Sequence, residues 1–173
     1  PKEDYGFKRQ DWWHHVKTEC DNLRTNVGIV DVSNFGKYEV KGQGASQWVD
    51  KIIANNVPKE IGRSCLTPLI GIRGGVAGDF TVTKLDDEHF FIVGSGMAER
   101  YHVRFFEMIE RPNSVDFQSL TEEMCGFNVA GPKSRTLLSR MTQEDLSNEN
   151  WKFMRSRSIT IAGIDAIAIR VSF

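Results

Sequence analysis

"DFTVTKLDDEHFFIVGS", residues 79–95, decides the fold. Phe80 and Val82 alternate with Thr81 and Thr83, and a second apolar run follows the polar break "DDE". Two such runs around a short polar break predict two strands, "DFTVTKL" and "HFFIVGS", joined by a turn. Helical periodicity flanks them. "GQGASQWVDKII" places Ala45, Trp48, Val49, Ile52 and Ile53 on one face, and Met97 to Ile109 reads as a helix through Ala98, Tyr101, Phe105 and Ile109. A strand at Tyr38 and Val40 precedes this block, and another over residues 114–118 follows it. The order is β-α-β-β-α-β, the ferredoxin-like arrangement. The expected class is α+β, with an antiparallel or mixed sheet covered by helices on one side.

Working outward, residues 1–10 are polar and read as a lead-in or linker, and residues 11–173 as one domain. Residues 11–26 predict a helix capped by Asp11, with Trp12 or Trp13, Val16, Cys20 and Leu23 at helical spacing. Residues 64–72 read as extended and 125–129 as a strand. "AGPKSRTLLSRM" opens a helix with Pro132 in its first turn. From about residue 152 the pattern is a β-hairpin around "AGID". The chain starts without Met, and strand alternation runs to Phe173, so a piece of a longer protein, truncated at its C-terminal end, is expected. A strand left without its neighbour there predicts self-association, a possible homo-oligomer.

The chain has 173 residues, enough for one domain with a real core. Its 22 basic and 23 acidic residues balance, and no basic block marks a nucleic-acid partner. No apolar run reaches the length of a membrane span. Three scattered cysteines give neither a disulfide framework nor metal spacing, which points to a reducing compartment and no metal.

Several motifs carry candidate chemistry. Gly42 and Gly44 stand between a strand and a helix, but Gln47 takes the place of the third glycine of a dinucleotide loop. His14 and His15 are adjacent and point about 100° apart on a helix, unlike paired metal ligands. Ser33 lacks a nucleophile-elbow context. Trp12, Trp13, Trp48, Phe105 and Phe106 read mostly as core. Asp79 remains. It follows Gly74, Gly75 and Gly78, where backbone can approach a flat ligand closely, and a carboxylate there can accept N–H donors or a proton. On the residues alone the plainer reading is a residue of the turn at a strand start, and spacing does not decide between the two.

Three stretches, in order, resemble the glycine-cleavage T-protein family of aminomethyltransferases. They are "LRTNVGIVDVSNFGKYEVKGQGASQWVDKIIANNV", "GIRGGVAGDFTVTKLDDEHFFIVGS" and "VAGPKSRTLLSRM". "YGFKRQDWWHHVKTECDNLRTNVGIVDVSNFGKYEV" and "GSGMAERYHVRFFE" are most similar to the C-terminal half of flavin-linked dimethylglycine and sarcosine dehydrogenases. The resemblance implies tetrahydrofolate-dependent one-carbon transfer from a methylated amine or aminomethyl donor. FAD is implied only in a missing N-terminal domain. The alternatives are a free-standing aminomethyltransferase, a folate-dependent demethylase or a non-catalytic folate scaffold. Asp79 is implied as the catalytic carboxylate, where many T-proteins carry two consecutive acids. Gly74 and Gly75 are implied as the close wall of the folate slot. Phe35 stands where the family has Met, Leu66 falls near its Tyr, and Gly94-Ser95 replaces its Val-Asn facing the pterin. The family's next acidic motif lies past Phe173. The implied location is the cytoplasm, or the mitochondrial matrix in a eukaryote.

Overall fold

The computed structural model describes residues 6–171. Its elements are α1 (Trp13–Thr25), β1 (Gly28–Asp31), β2 (Gly36–Lys41), α2 (Ala45–Ile52), β3 (Ser64–Ile70), β4 (Val76–Asp86), β5 (His89–Gly94), α3 (Glu99–Glu107), β6 (Asp116–Ser119), β7 (Phe127–Ala130), α4 (Ser134–Leu138), β8 (Arg155–Ile161) and β9 (Ile164–Arg170). A 3-10 turn, Gly96–Ala98, leads into α3.

The central sheet has the order β3-β4-β5-β2-β6, and every neighbouring pair is antiparallel. Without β3 the order is that of the ferredoxin-like unit expected from the sequence. β3 is an addition at the edge beside β4, and the stretch read only as extended is in fact paired. Pro68 sits within it, and an edge strand tolerates the missing N–H.

α2 and α3 bury their apolar faces on one side of this sheet. Trp48, Val49, Tyr38, Val40, Phe80, Val82, Phe90, Ile92 and Phe106 are nearly inaccessible. Tyr38, Phe80, Trp48 and Phe117 surround Phe106, with the Tyr38 and Phe106 ring centres 5.4 Å apart and edge-on. Such ring pairs add to the stabilisation from area burial. The buried stripe of α3 runs through His102 and Phe106, one position on from the Tyr101–Phe105 face read in the sequence.

The start of α2 settles the Gly42–Gly44 motif. Both glycines have positive φ, and a Cβ on Gly42 would lie 2.1 Å from the Ser114 carbonyl oxygen. Glu88, from the β4–β5 turn, accepts the Ser46 N–H at 3.0 Å. The helix N-terminus is thus already satisfied by a carboxylate, and the loop is an ordinary turn and helix start.

Two smaller sheets flank the centre. β8 and β9 form the hairpin expected from "AGID", turning at Ala162 and Gly163, both with positive φ. Trp151, Leu146 and Ile159 pack beneath it. It joins β3 through Ser64 N–H to the Met154 carbonyl and Ser156 N–H to the Gly62 carbonyl. β1 pairs antiparallel with β7. The sequence pattern marks β7 but not β1. α1 lies against this ribbon by its C-terminal end, where the Asn26 carbonyl accepts the Lys133 N–H. No residue of α1 is buried, no side chain caps it, and Trp12 is exposed, so the expected Asp11 cap and the core placement of Trp12 do not hold. α4 is shorter than its pattern suggests, because the chain tightens into i→i+3 bonds at Arg140 and Met141.

Candidate functional site

Register gathers the candidate residues at one end of the central sheet. Asp79 pairs with Pro68 of β3. The last rung across β4, β5 and β2 is Phe80, Gly94 and Gly36. One residue further out on the three chains stand Asp79, Ser95 and Phe35. The preceding row on the same face is Leu66, Thr81, Val93 and Lys37. Side chains alternate along strands, so this face is opposite the one that Phe80 and Val82 bury against the helices.

Asp79 is therefore not at the start of a strand. β4 begins at Val76, and Asp79 lies inside it with its side chain exposed. The carboxylate makes no hydrogen bond or ion pair among the described residues. Phe35 and Leu66 are also solvent-exposed, at 41% and 64%. Ser95 is exposed in extended backbone just past β5.

The glycines divide. Gly74 has positive φ in the β3–β4 turn, and a Cβ on either Gly74 or Gly75 would meet nothing within 4 Å. They face open space beside Asp79's strand. Gly94 is different: a Cβ there would sit 2.5 Å from the Phe80 ring, so it makes room for the core on the buried side. Of the Gly94-Ser95 pair, only Ser95 is exposed toward solvent.

Two features were not read from the sequence. Lys37 is 4% exposed, and its ammonium donates to the Ser33 and Phe35 carbonyls at 2.8 and 2.9 Å. It pins the turn that carries Phe35. His102 is fully buried, and its Nδ1 lies 3.1 Å from the Tyr38 hydroxyl. The available signal was a histidine four residues before Phe106 on an apolar helix face. A cleft of about 750 Å3 opens next to the row along the chain, between Ser33, Asn34, Gly96, Met97, Glu99 and residues 121–125.

A family model described as the GCVT N-terminal domain matches residues 2–173. The chain belongs to this family, the glycine-cleavage T-protein family. Mitochondrial dimethylglycine dehydrogenase of Rattus norvegicus is 32% identical over 169 residues, covering 96% of this chain and 20% of that protein. The chain thus spans about a fifth of the length of this relative. Among solved structures, the glycine cleavage system aminomethyltransferase T of Bartonella henselae superposes with a TM-score of 0.72 at 20% identity, over 80% of this chain and 37% of that one. The heterotetrameric sarcosine oxidase of Corynebacterium sp. U-96 gives 0.69 at 13%, over 95% and 82%. These likenesses show the T-protein fold. The chain is an aminomethyltransferase-type domain whose relatives include enzymes of both the dehydrogenase and the transferase kind. Among the described residues, no helix is long and apolar enough to cross a membrane.

Proposed function

We propose that this domain binds tetrahydrofolate across the row of Asp79, Ser95 and Phe35 and takes part in one-carbon transfer. The domain would be the folate portion of a flavin-linked N-methylamine dehydrogenase of the dimethylglycine or sarcosine type. The observation that carries this is the exposed carboxylate of Asp79, without a hydrogen-bond or ion-pair partner among the described residues, on the face the helices leave open and in register with the exposed Phe35.

The residues present fit a pterin. Asp79 offers acceptors for amidine-like N–H groups. Phe35 and Leu66 offer exposed apolar flanks for a flat ring. Space at Gly74 and Gly75 lets a ligand approach the backbone. When bound, tetrahydrofolate supplies the nitrogens that take up the one-carbon unit. Asp79 orients the ring and holds the proton that leaves those nitrogens, a general-base role worth typically about 10²–10⁴-fold in rate. Phe35, held through its carbonyl by Lys37, and Leu66 fix the ring plane and exclude water. Gly94 acts indirectly, by seating Phe80 behind the row.

The likeness to dimethylglycine dehydrogenase favours the dehydrogenase-linked form over a free-standing aminomethyltransferase. In that form FAD belongs to a separate portion of the protein, which oxidises the methylated amine. Residues 1–10 would be the lead-in, and the matrix of a mitochondrion or the bacterial cytoplasm the location.

The test uses Asp79→Asn in the full-length protein, which keeps shape and removes the charge. Methylenetetrahydrofolate formation should fall by about 10²-fold or more, while flavin reduction by the amine stays unchanged. Equal loss of both rates, or loss of neither, defeats the assignment. Absence of tetrahydrofolate binding by the wild type leaves the scaffold reading without support as well.

A further inference from the structure

The buried face behind Asp79 contains an arrangement that packing alone does not explain. Glycine stands at the same end of three neighbouring strands. A Cβ on Gly36 would lie 2.5 Å from the Tyr38 hydroxyl, one on Gly94 would lie 2.5 Å from the Phe80 ring, and one on Gly78 would lie 2.7 Å from His102 Nε2. The missing side chains make space for a cluster of three rings, Tyr38, Phe80 and His102. His102 and Phe80 are edge-on with ring centres 4.7 Å apart. The imidazole lies directly against β4 at the residue before Asp79.

Within this cluster His102 satisfies the Tyr38 hydroxyl but leaves its own second nitrogen unsatisfied. Nε2 is buried and has no hydrogen-bond partner among the described residues. A buried polar group without a partner costs stability. Leu at 102 with Phe at 38 would fill the same space without that cost. A buried polar atom retained at such a cost calls for a reason beyond stability.

The electrostatics link the two faces of the sheet. Burial pushes the His102 imidazole below its ordinary range, and the carboxylates of Asp79 and, less, Glu99 oppose that shift. Burial pushes the Tyr38 hydroxyl well up, with Glu99 adding to it. The pair is neutral at pH 7, and the charged groups that act on the imidazole are Asp79 from β4 and Glu99 from its own helix.

We propose that His102 is the positioning residue of Asp79: the imidazole, seated under Gly78 and tethered by Tyr38, holds the β4 backbone that presents the carboxylate on the opposite face. This rests on the reading of Asp79 as the working carboxylate. His102 touches no ligand. It acts through the strand, and it senses the charge state of Asp79 in return. A proton taken up by Asp79 removes the charge that opposes burial and leaves the imidazole more firmly neutral.

Two measurements decide this, the titration on the 173-residue chain and the binding comparison on the full-length protein. In the first, the ring of His102 is titrated by 15N NMR in the wild type and in Asp79→Asn. The midpoint should move down in the variant, because the larger of the opposing carboxylates is gone. An unchanged midpoint overturns the coupling. In the second, Tyr38→Phe and His102→Leu are combined, which removes both polar groups together and keeps the core filled. The melting temperature should hold or rise, while the dissociation constant for tetrahydrofolate rises about tenfold, the equivalent of about 1.4 kcal/mol. A stable double variant that binds like the wild type shows His102 to be packing only, and overturns the proposal. Should the wild type itself not bind tetrahydrofolate, the proposed function fails, and the titration still judges the link between His102 and Asp79.

Discussion

The central sheet and the β1–β7 ribbon are built from similar residue types and end in opposite conditions. Val40, Val82 and Ile92 of the sheet are at most 1% exposed, whereas Ile29, Val30 and Phe127 of the ribbon are 64%, 55% and 54% exposed. The helices differ in the same way. α2 buries Ala45, Trp48, Val49 and Ile52, whereas α1 buries nothing. An apolar pattern records that a residue favours cover. It does not say that these 173 residues provide it. The sheet gains cover from α2 and α3, which its own β-α-β connections bring onto one face. The ribbon joins residues 28–31 to residues 127–130, and the C-terminal end of α1 lies against it.

The largest expected contrast is between two tryptophans. Trp48 is buried among Phe106 and Phe117 and donates its indole N–H to the Ile109 carbonyl at 3.2 Å. Trp48→Ala should cost about 3–5 kcal/mol. Trp12 is exposed, and Trp12→Ala should stay within about 0.5 kcal/mol. Urea denaturation of both variants measures the difference. Similar losses would mean that α1 contributes to the core after all.

A pair of site glycines gives the next contrast. Gly94→Ala forces a methyl group into the Phe80 ring, and overpacking of this kind costs about 1–3 kcal/mol. Gly75→Ala meets nothing within 4 Å and should leave stability nearly unchanged. The methyl group added at Gly75 would stand where a ligand is proposed to approach, so its effect should appear in tetrahydrofolate affinity. Titration with tetrahydrofolate beside a thermal melt separates the two. A stable Gly75→Ala that binds normally removes Gly75 from the slot.

This contrast also shows what was legible in the sequence. The β4–β5 pair, α2, and the β8–β9 hairpin each follow from a local pattern: alternation, a 3.6-residue stripe, or a turn with positive φ. β1 did not follow, because "GIVD" is four residues long and is completed only by pairing with β7 across most of the chain. β3 was blurred by Pro68, which is acceptable because, among the described residues, no strand pairs with Pro68 on its outer side. At the site, Asp79 could be singled out as a lone acid in a strand pattern. Its neighbours Ser95 and Phe35 could be placed beside it only through register. His102 escaped notice because the buried stripe of α3 is shifted by one position from the apolar letters, so a polar residue occupies a core position.

His102 also distinguishes the two regions by pH. Its folded-state imidazole is held below the ordinary histidine value by burial, so the unfolded chain binds the proton more readily. Stability is then complete above about pH 6.5 and declines as the pH falls from there toward the lowered folded value. The lowered carboxylates, such as Glu60 beside Arg155 and Asp31 beside Ser33, act below about pH 4.5 and outside this window. Melting temperatures measured from about pH 7.5 to about pH 5.5 should fall in the wild type and flatten in the Tyr38→Phe, His102→Leu double variant. Hydrogen exchange over the same window should show the loss in β2, β4 and α3. Loss confined to β1, β7 and α1 would place the titrating group elsewhere.

The smallest expected effect comes from placing one substitution in both regions. Val→Thr conserves shape and β-branching and exchanges a methyl for a hydroxyl. At Val82, which is 0% exposed, the hydroxyl enters the aromatic core between the sheet and its helices. Among the buried members of that cluster the polar atoms are the Tyr38 hydroxyl, bonded to His102 Nδ1, and the Trp48 indole N–H, bonded to the Ile109 carbonyl. The cost should be about 1–3 kcal/mol, the protein-scale penalty for burying an unsatisfied hydroxyl. At Val30 the new hydroxyl is more than half in water, Thr favours strands as much as Val does, and the pairing with Asn128 is through backbone. Val30→Thr should change stability by less than about 0.5 kcal/mol in either direction. The ratio matters more than either value. If Val30→Thr costs as much as Val82→Thr, the exposed face of the ribbon is covered in solution, and self-association measured by scattering at increasing concentration should reveal the partner copy. If the chain stays monomeric and Val30→Thr is silent, the ribbon is an uncovered apolar face in these 173 residues, and stability rests on the central sheet and on the core beneath the β8–β9 hairpin.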